Sequence, residues 1–225
     1  MHTKIDWLDS RHSFSFGEHY DPKRTGLGPL QVVNDDRVAP GGGFPPHPHS
    51  DMEIISIVLD GQLAHEDSMG NKRIIKTGEV QYMSAGSGVV HSEFNPSSEK
   101  QVHFMQIWIQ PNAKGLKPIY ADKPIIEKAE NAWQRILSSD GRGGSIAIRQ
   151  DLELHTAKIT AGTSLEYAPP SSNRGLWFFV IEGEVEVAEE TLAKGDSLAI
   201  SGLDSLTAKA TASGSAKVMV FDLPL

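Results

Sequence analysis

Short apolar runs, each closed by a turn signal, set the strongest limit on what this chain can fold into. Ile54–Leu59 ends at Asp60-Gly61, and Leu63–Asp67 ends at Ser68-Met69-Gly70-Asn71. Arg73–Lys76, Val80–Met83, Val89–Phe94 and Val102–Ile109 follow. Runs this short, rich in β-branched residues and bounded by Asp-Gly or Gly-Asn, predict strands joined by tight turns. Helical periodicity is nearly absent, and only Ile125–Ile136 is spaced for a helix of a few turns. The pattern predicts an all-β chain, built as a sandwich or barrel with few short helices.

The pattern also repeats. Phe179-Val180-Ile181-Glu182-Gly183-Glu184-Val185 resembles Ile57-Val58-Leu59-Asp60-Gly61-Gln62-Leu63. Thr77-Gly78-Glu79-Val80 after the first copy has its counterpart in Lys194-Gly195-Asp196-Ser197 after the second. Self-similarity of this kind predicts two tandem antiparallel β-barrels of one jelly-roll type. Pro111–Lys128 has little periodicity and reads as the linker, giving domains 1–120 and 121–225.

Chemistry concentrates in the first copy. In Phe44-Pro45-Pro46-His47-Pro48-His49 two histidines stand two apart, and the prolines favour an extended backbone. Both imidazoles then project from one strand face. His91-Ser92-Glu93 offers an imidazole and a carboxylate at the same spacing. Two such pairs on facing strands supply four converging ligands for one metal. The chain has no cysteine, so a metal must be held by His, Asp or Glu. Three imidazoles and a carboxylate suit divalent iron, copper, nickel or zinc, and iron is the expected ion. In the second copy Pro169 and Ser171 fall where His47 and His49 lie, so that barrel is expected to be metal-free.

The formal net charge of −8 argues against a nucleic-acid partner, and no apolar run is long enough to span a bilayer. The opening Met1-His2-Thr3-Lys4-Ile5-Asp6 is too polar for a secretory signal, so a cytoplasmic protein is expected.

The glycine-rich lead Gly41-Gly42-Gly43, then His47, His49, Glu53 and Gly61, resembles the first cupin motif; Gly78, Gly86, His91 and Asn95 resemble the second. Within the cupins the chain resembles the pirin family, and most of all its quercetin 2,3-dioxygenase-like bacterial members. Trp7-Leu8-Asp9-Ser10, His12-Ser13-Phe14-Ser15-Phe16, His65-Glu66-Asp67-Ser68-Met69-Gly70, Met83-Ser84-Ala85-Gly86 and Gln106-Ile107-Trp108 carry the likeness. The resemblance implies a bicupin with metal ligands His47, His49, His91 and Glu93, and leaves Glu53 outside the ligand set. It also implies an enzyme that cleaves the central ring of a flavonol such as quercetin with dioxygen, releasing carbon monoxide and a depside. Glu93 is then also the candidate catalytic base. A metal-bearing regulator that binds a protein partner, and a cupin enzyme acting on another small enol, are the competing readings.

Of the other histidines, His103 shares its parity with Met105, Ile107 and Ile109 and is expected to be a satisfied core or cavity-wall residue. His65 is expected to orient the hairpin near Asp67, and His12 and His19 to lie at the surface. Trp108 and Phe104 are expected in the core. Glu182, Glu184, Glu186, Glu189 and Glu190 are expected on a solvated face.

Overall fold

The computed structural model describes residues 1–125 and 129–225. By internal contacts the chain divides into two units, Met1–Ile126 and Glu127–Leu225. The first holds eleven strands in chain order: β1 (His2–Lys4), β2 (Leu8–His12), β3 (Leu30–Val38), β4 (Gly43–His49), β5 (Glu53–Asp60), β6 (Gln62–Asp67), β7 (Lys72–Lys76), β8 (Glu79–Ser84), β9 (Val89–Phe94), β10 (Val102–Ile109) and β11 (Ile119–Pro124). The second holds β12 (Gln134–Ser138), β13 (Ile146–Ala147), β14 (Glu153–Ile159), β15 (Ser164–Tyr167), β16 (Arg174–Glu182), β17 (Glu184–Val187), β18 (Glu190–Ala193), β19 (Ser197–Ser201), β20 (Leu206–Ala210) and β21 (Ala216–Pro224).

Each unit is a pair of sheets. In the first, β1-β2-β3-β10-β5-β8-β11 form one sheet and β4-β9-β6-β7 the other. In the second, β13-β12-β14-β21-β16-β19 form one and β15-β20-β17-β18 the other. The all-β expectation holds, but the barrels are not closed: among the described residues no ladder joins the two sheets of either unit. At one seam of the first unit the edge strands β7 and β11 are bridged by the Arg73 guanidinium, which donates to both Asp122 oxygens at 3.0 and 2.7 Å. Among the described residues pairing is antiparallel except between β12 and β13.

The internal repeat is visible in the turns. Gly61 and Gly183 close the β5–β6 and β16–β17 hairpins at φ of +82° and +79°, and Gly78 and Gly195 open β8 and β19 at +79° and +88°. A side chain at any of these four would be strained, so the same acid-Gly and Gly-acid punctuation produces the same turn in each unit.

Two readings change. The segment read as linker contributes β11, which pairs with β8 along its whole length. The helix expected over Ile125–Ile136 is replaced, in its described part, by a turn at Asn131 (φ +58°) and the start of β12. Pairing of β12 with β14 buries Ile136 and Leu137, and this tertiary pairing overrides the local spacing. Residues 126–128 of that segment lie outside the described ones. Among the described residues the one short helical turn is Arg142–Gly144, and no described helix is long and apolar enough to cross a membrane.

Inside the first unit the apolar core is divided. One cluster holds Val38, Val58, Leu63, Ile75, Val102 and Phe104; another holds Ile54, Met83 and Val89. Between them runs a polar row. His12 of β2 stands opposite Asn34 of β3, Asn34 opposite Gln106 of β10, Gln106 opposite Ser56 of β5, and Ser56 opposite Gln81 of β8. Strand alternation points all five to one face of the sheet.

Candidate metal centre

The second sheet faces that row with three histidines. His47 and His91 are direct cross-strand partners on β4 and β9, and His49 follows two residues on from His47. Their ring centroids lie 4.5 to 5.0 Å apart, and their ligand nitrogens fall within 4.8 Å of one another. The His47 Nδ1 hydrogen is donated to the Pro45 carbonyl at 2.8 Å, which leaves Nε2 as the free lone pair. Burial, then the neighbouring His91 and His47, pushes His49 down to about 4. Burial, then His47 and His65, pushes His91 down to about 3. Both rings are therefore neutral at physiological pH, the form a metal needs.

Glu93 is set apart from this trio. It groups instead with His65 and His91, all three buried. Its Oε1 accepts from the Ser56 hydroxyl at 2.8 Å and its Oε2 from the Gln106 amide at 2.6 Å. His65 is the direct cross-strand partner of Glu93 on β6. Its Nε2 lies 3.1 Å from Asp67 Oδ2 and its Nδ1 3.3 Å from Gln81 Nε2. Asp67 in turn accepts from the Met69 and Asn71 backbone and the Asn71 amide, so His65 does orient this hairpin. Glu53 is fully buried on the opposite face of β5 from Ser56 and accepts from the Tyr82 hydroxyl, away from the histidines.

The cluster opens onto a cavity of about 840 Å³, in the range of small-molecule sites. Phe16, Phe44, Pro45 and Trp108 give it apolar walls, while Asn34, Asp36, Glu93 and Gln106 form a polar floor. Burial raises Asp36 to about 7, against the lowering Ser10 hydrogen bond, with Glu93 and Asp35 adding to the rise. Trp108 packs against the Ile54, Met83 and Val89 cluster, as expected, and also walls the cavity, its ring 4.9 Å from His49 and edge-on to it. His12, expected at the surface, is buried, because its Nδ1 bonds Asn34 Oδ1 at 2.9 Å and its Nε2 the Thr3 hydroxyl at 2.9 Å. His19 stands at the mouth, 3.1 Å from the same hydroxyl. His103 is satisfied, as expected, but by Asp35 at 2.7 Å on the opposite face of β10 from the cavity. Phe104 is fully buried core, and Glu182, Glu184, Glu186, Glu189 and Glu190 are exposed. Reading by residue type missed Ser56, Asn34, Asp36 and Gln106. Their signal was parity: each is a polar residue at an inward-facing position of its strand.

The donor set fits a divalent metal. Both nitrogens of His91 and Nε2 of His49 are buried with no hydrogen-bond partner among the described residues. A buried nitrogen lone pair left unmatched is costly unless something else occupies it. A jelly-roll-like sheet pair with three converging imidazoles and an adjacent carboxylate at the base of a cavity defines a metal-binding cupin.

Comparison with known proteins agrees and goes further. The family model described as Pirin matches residues 1–109, and that described as the quercetinase C-terminal cupin domain matches residues 135–223. Quercetin 2,3-dioxygenase of Escherichia coli K12 is 40% identical over 223 residues, covering 99% of this chain and 94% of the relative. The crystal structure of YhhW from Escherichia coli superposes with a TM-score of 0.95 at 40% identity, covering 100% of this chain and 94% of that one. The complex of bacterial pirin YhhW with nickel(II) gives 0.94 at 39% identity, covering 100% and 95%. The chain belongs to the pirin family.

Proposed function

We propose that this chain is a metal-dependent quercetin 2,3-dioxygenase, cleaving the central ring of a flavonol with dioxygen to give a depside and carbon monoxide. The observation that carries the reading is the histidine cluster at the base of an apolar-walled cavity, next to a carboxylate with its own hydrogen-bond donors. His47, His49 and His91, with Glu93 as the fourth ligand, hold one ion in the first unit, and the second unit holds none. Iron is the proposed resident ion, and the same donors accept nickel.

A divalent metal at this position supplies Lewis acidity that lowers the pKa of the flavonol 3-hydroxyl. The chain supplies the rest. Trp108, Phe16 and Phe44 line the faces a planar ring would occupy and exclude water from it. Glu93 accepts the 3-hydroxyl proton, a role worth about 10²–10⁴ in rate. The polar floor offers partners to the remaining hydroxyls. The acidic net charge gives no footing for nucleic acid, and the proposed setting is the cytoplasm.

The test is aerobic incubation of the metal-loaded protein with quercetin, following flavonol bleaching and carbon monoxide together. One carbon monoxide per quercetin consumed is expected, and His91→Ala should abolish both metal binding and turnover. Bleaching without carbon monoxide would reduce the activity to simple oxidation and sink the proposal.

A further inference from the structure

Glu93 sits against a row of side chains that metal binding by itself does not require. Each member of His12–Asn34–Gln106–Ser56–Gln81 comes from a different, adjacent strand, so the row crosses five strands between two apolar clusters. Polar side chains in such a place are stabilising only if each is satisfied. Two of them are committed to Glu93. Ser56 is fully buried and gives its hydroxyl hydrogen to Oε1, while Gln106, 7% exposed, gives its amide hydrogen to Oε2. The amide must present its nitrogen here, because an oxygen in that place would face the carboxylate.

In the second unit the equivalent row has no carboxylate to hold, since the buried Asp222 lies two residues beyond it and is taken by Tyr167 and Arg174. Aligning Gly183 with Gly61 puts Phe178 at the place of Ser56. By ladder register Val220 then takes the place of Gln106, Leu198 that of Gln81, and His155 that of Asn34. Phe178 and Val220 are buried in one continuous apolar cluster, with Leu198 packed against it. The donors occur in the unit where a glutamate needs them.

We propose that Ser56 and Gln106 form a cradle that competes with the metal for the Glu93 carboxylate, and so sets how readily Glu93 gives up its ligand position to take the substrate proton. The idea rests on the reading of the site given above. Two charge-assisted hydrogen bonds offset much of what the carboxylate loses when it gives up a ligand position. Ser56 and Gln106 are positioning residues, acting through Glu93. An orienting role for a permanently ligating glutamate makes the opposite prediction, since losing such support weakens metal binding about 10–100-fold.

The experiment measures nickel(II) affinity of the full-length protein by chelator competition, and carbon monoxide release per bound metal, for Gln106→Leu and Ser56→Ala. Removing a cradle donor should tighten nickel binding about tenfold. It should also slow turnover per bound metal by about tenfold or more, so the two readouts move in opposite directions. Ser56→Ala removes one oxygen atom and guards against misfolding of the leucine variant. In a Glu93→Gln background neither substitution should change nickel affinity further. Weakened or unchanged nickel binding, an effect that persists in the Glu93→Gln background, or unchanged turnover per metal alongside tighter binding would each overturn the proposal. If the wild-type protein does not cleave quercetin, the nickel measurements still decide the cradle, and only the functional reading falls.

Discussion

A histidine kept neutral in a closed interior responds to acid in one direction, and His155 is such a residue. It is 5% exposed on β14, edge-on to Tyr167, and beside Glu153, which is already engaged by Arg135 and Arg142. Burial, reinforced by the charges of Arg135 and Arg142, pushes it from 6.5 to about 4. The folded value lies below the unfolded one, so folding favours the neutral ring. This contribution is fully present above about pH 6.5, is lost as pH falls toward 4, and levels off below. The full loss is about 3 kcal/mol, with about 2 kcal/mol gone by pH 5. Urea unfolding of metal-free protein at pH 7 and pH 5 should show His155→Gln losing about 2 kcal/mol less than wild type. An equal loss in both would mean that His155 is protonated in the fold. The two pairs at a spacing of two, His47 with His49 and His91 with Glu93, made the candidate ligands visible in the sequence, where a single His-x-His would not have done. Residue type did not separate the two glutamates. Glu53 and Glu93 both lie near histidines in sequence, and only the face each presents, to Tyr82 or to Ser56 and Gln106, tells them apart.

Among the elements, β4 and β9 decide whether the histidines meet. Gly43 begins β4 opposite Phe94, and a Cβ there would run into the Glu93 backbone and lie 2.6 Å from the Phe94 Cα. The absent side chain is what lets β4 lie close enough for His47 to face His91 across the ladder. Gly43→Ala should push the strands apart, destabilise the first unit by about 1–3 kcal/mol, and weaken nickel binding at least about tenfold. Gly214→Ala, whose Cβ would meet nothing within 4 Å, is the control for a glycine change with no strand to displace. Calorimetry and chelator competition read the two effects, and wild-type nickel affinity in Gly43→Ala would remove this glycine from the account. Strands were the most readable level of the sequence, since alternation and Gly turns mark them directly. The exceptions share one cause. β11 and β12 are strands because β8 and β14 pair with them, and a partner distant in sequence leaves no local trace.

At the scale of the whole chain, one architecture is used twice with opposite interiors. The second unit fills its sandwich with one continuous cluster, in which Phe178, Val180, Val218 and Val220 meet Val185, Ala208 and Ala210. The first unit interrupts the same place with a polar row and a histidine cluster, leaving two smaller apolar clusters at either side. The repeat was legible in the glycine turns, and Pro169 and Ser171 stand in the second copy where the first has His47 and His49. The divided core was not, because it depends on the register of five strands. A unit that gives up the middle of its core should gain most from an ion placed there. A bound ion at one hundred times its dissociation constant stabilises by about 2.7 kcal/mol, and only the structure that binds it. Amides of β4, β9 and β10 that exchange by opening of the first unit should therefore slow about a hundredfold when nickel(II) is added. Those of β14, β16 and β21 should not change. Hydrogen exchange with and without the ion, paired with elemental analysis, checks this, with one metal per chain expected. Two metals per chain, or comparable protection appearing in β16 and β21, would place an ion in the second unit as well and overturn the division of labour between the two.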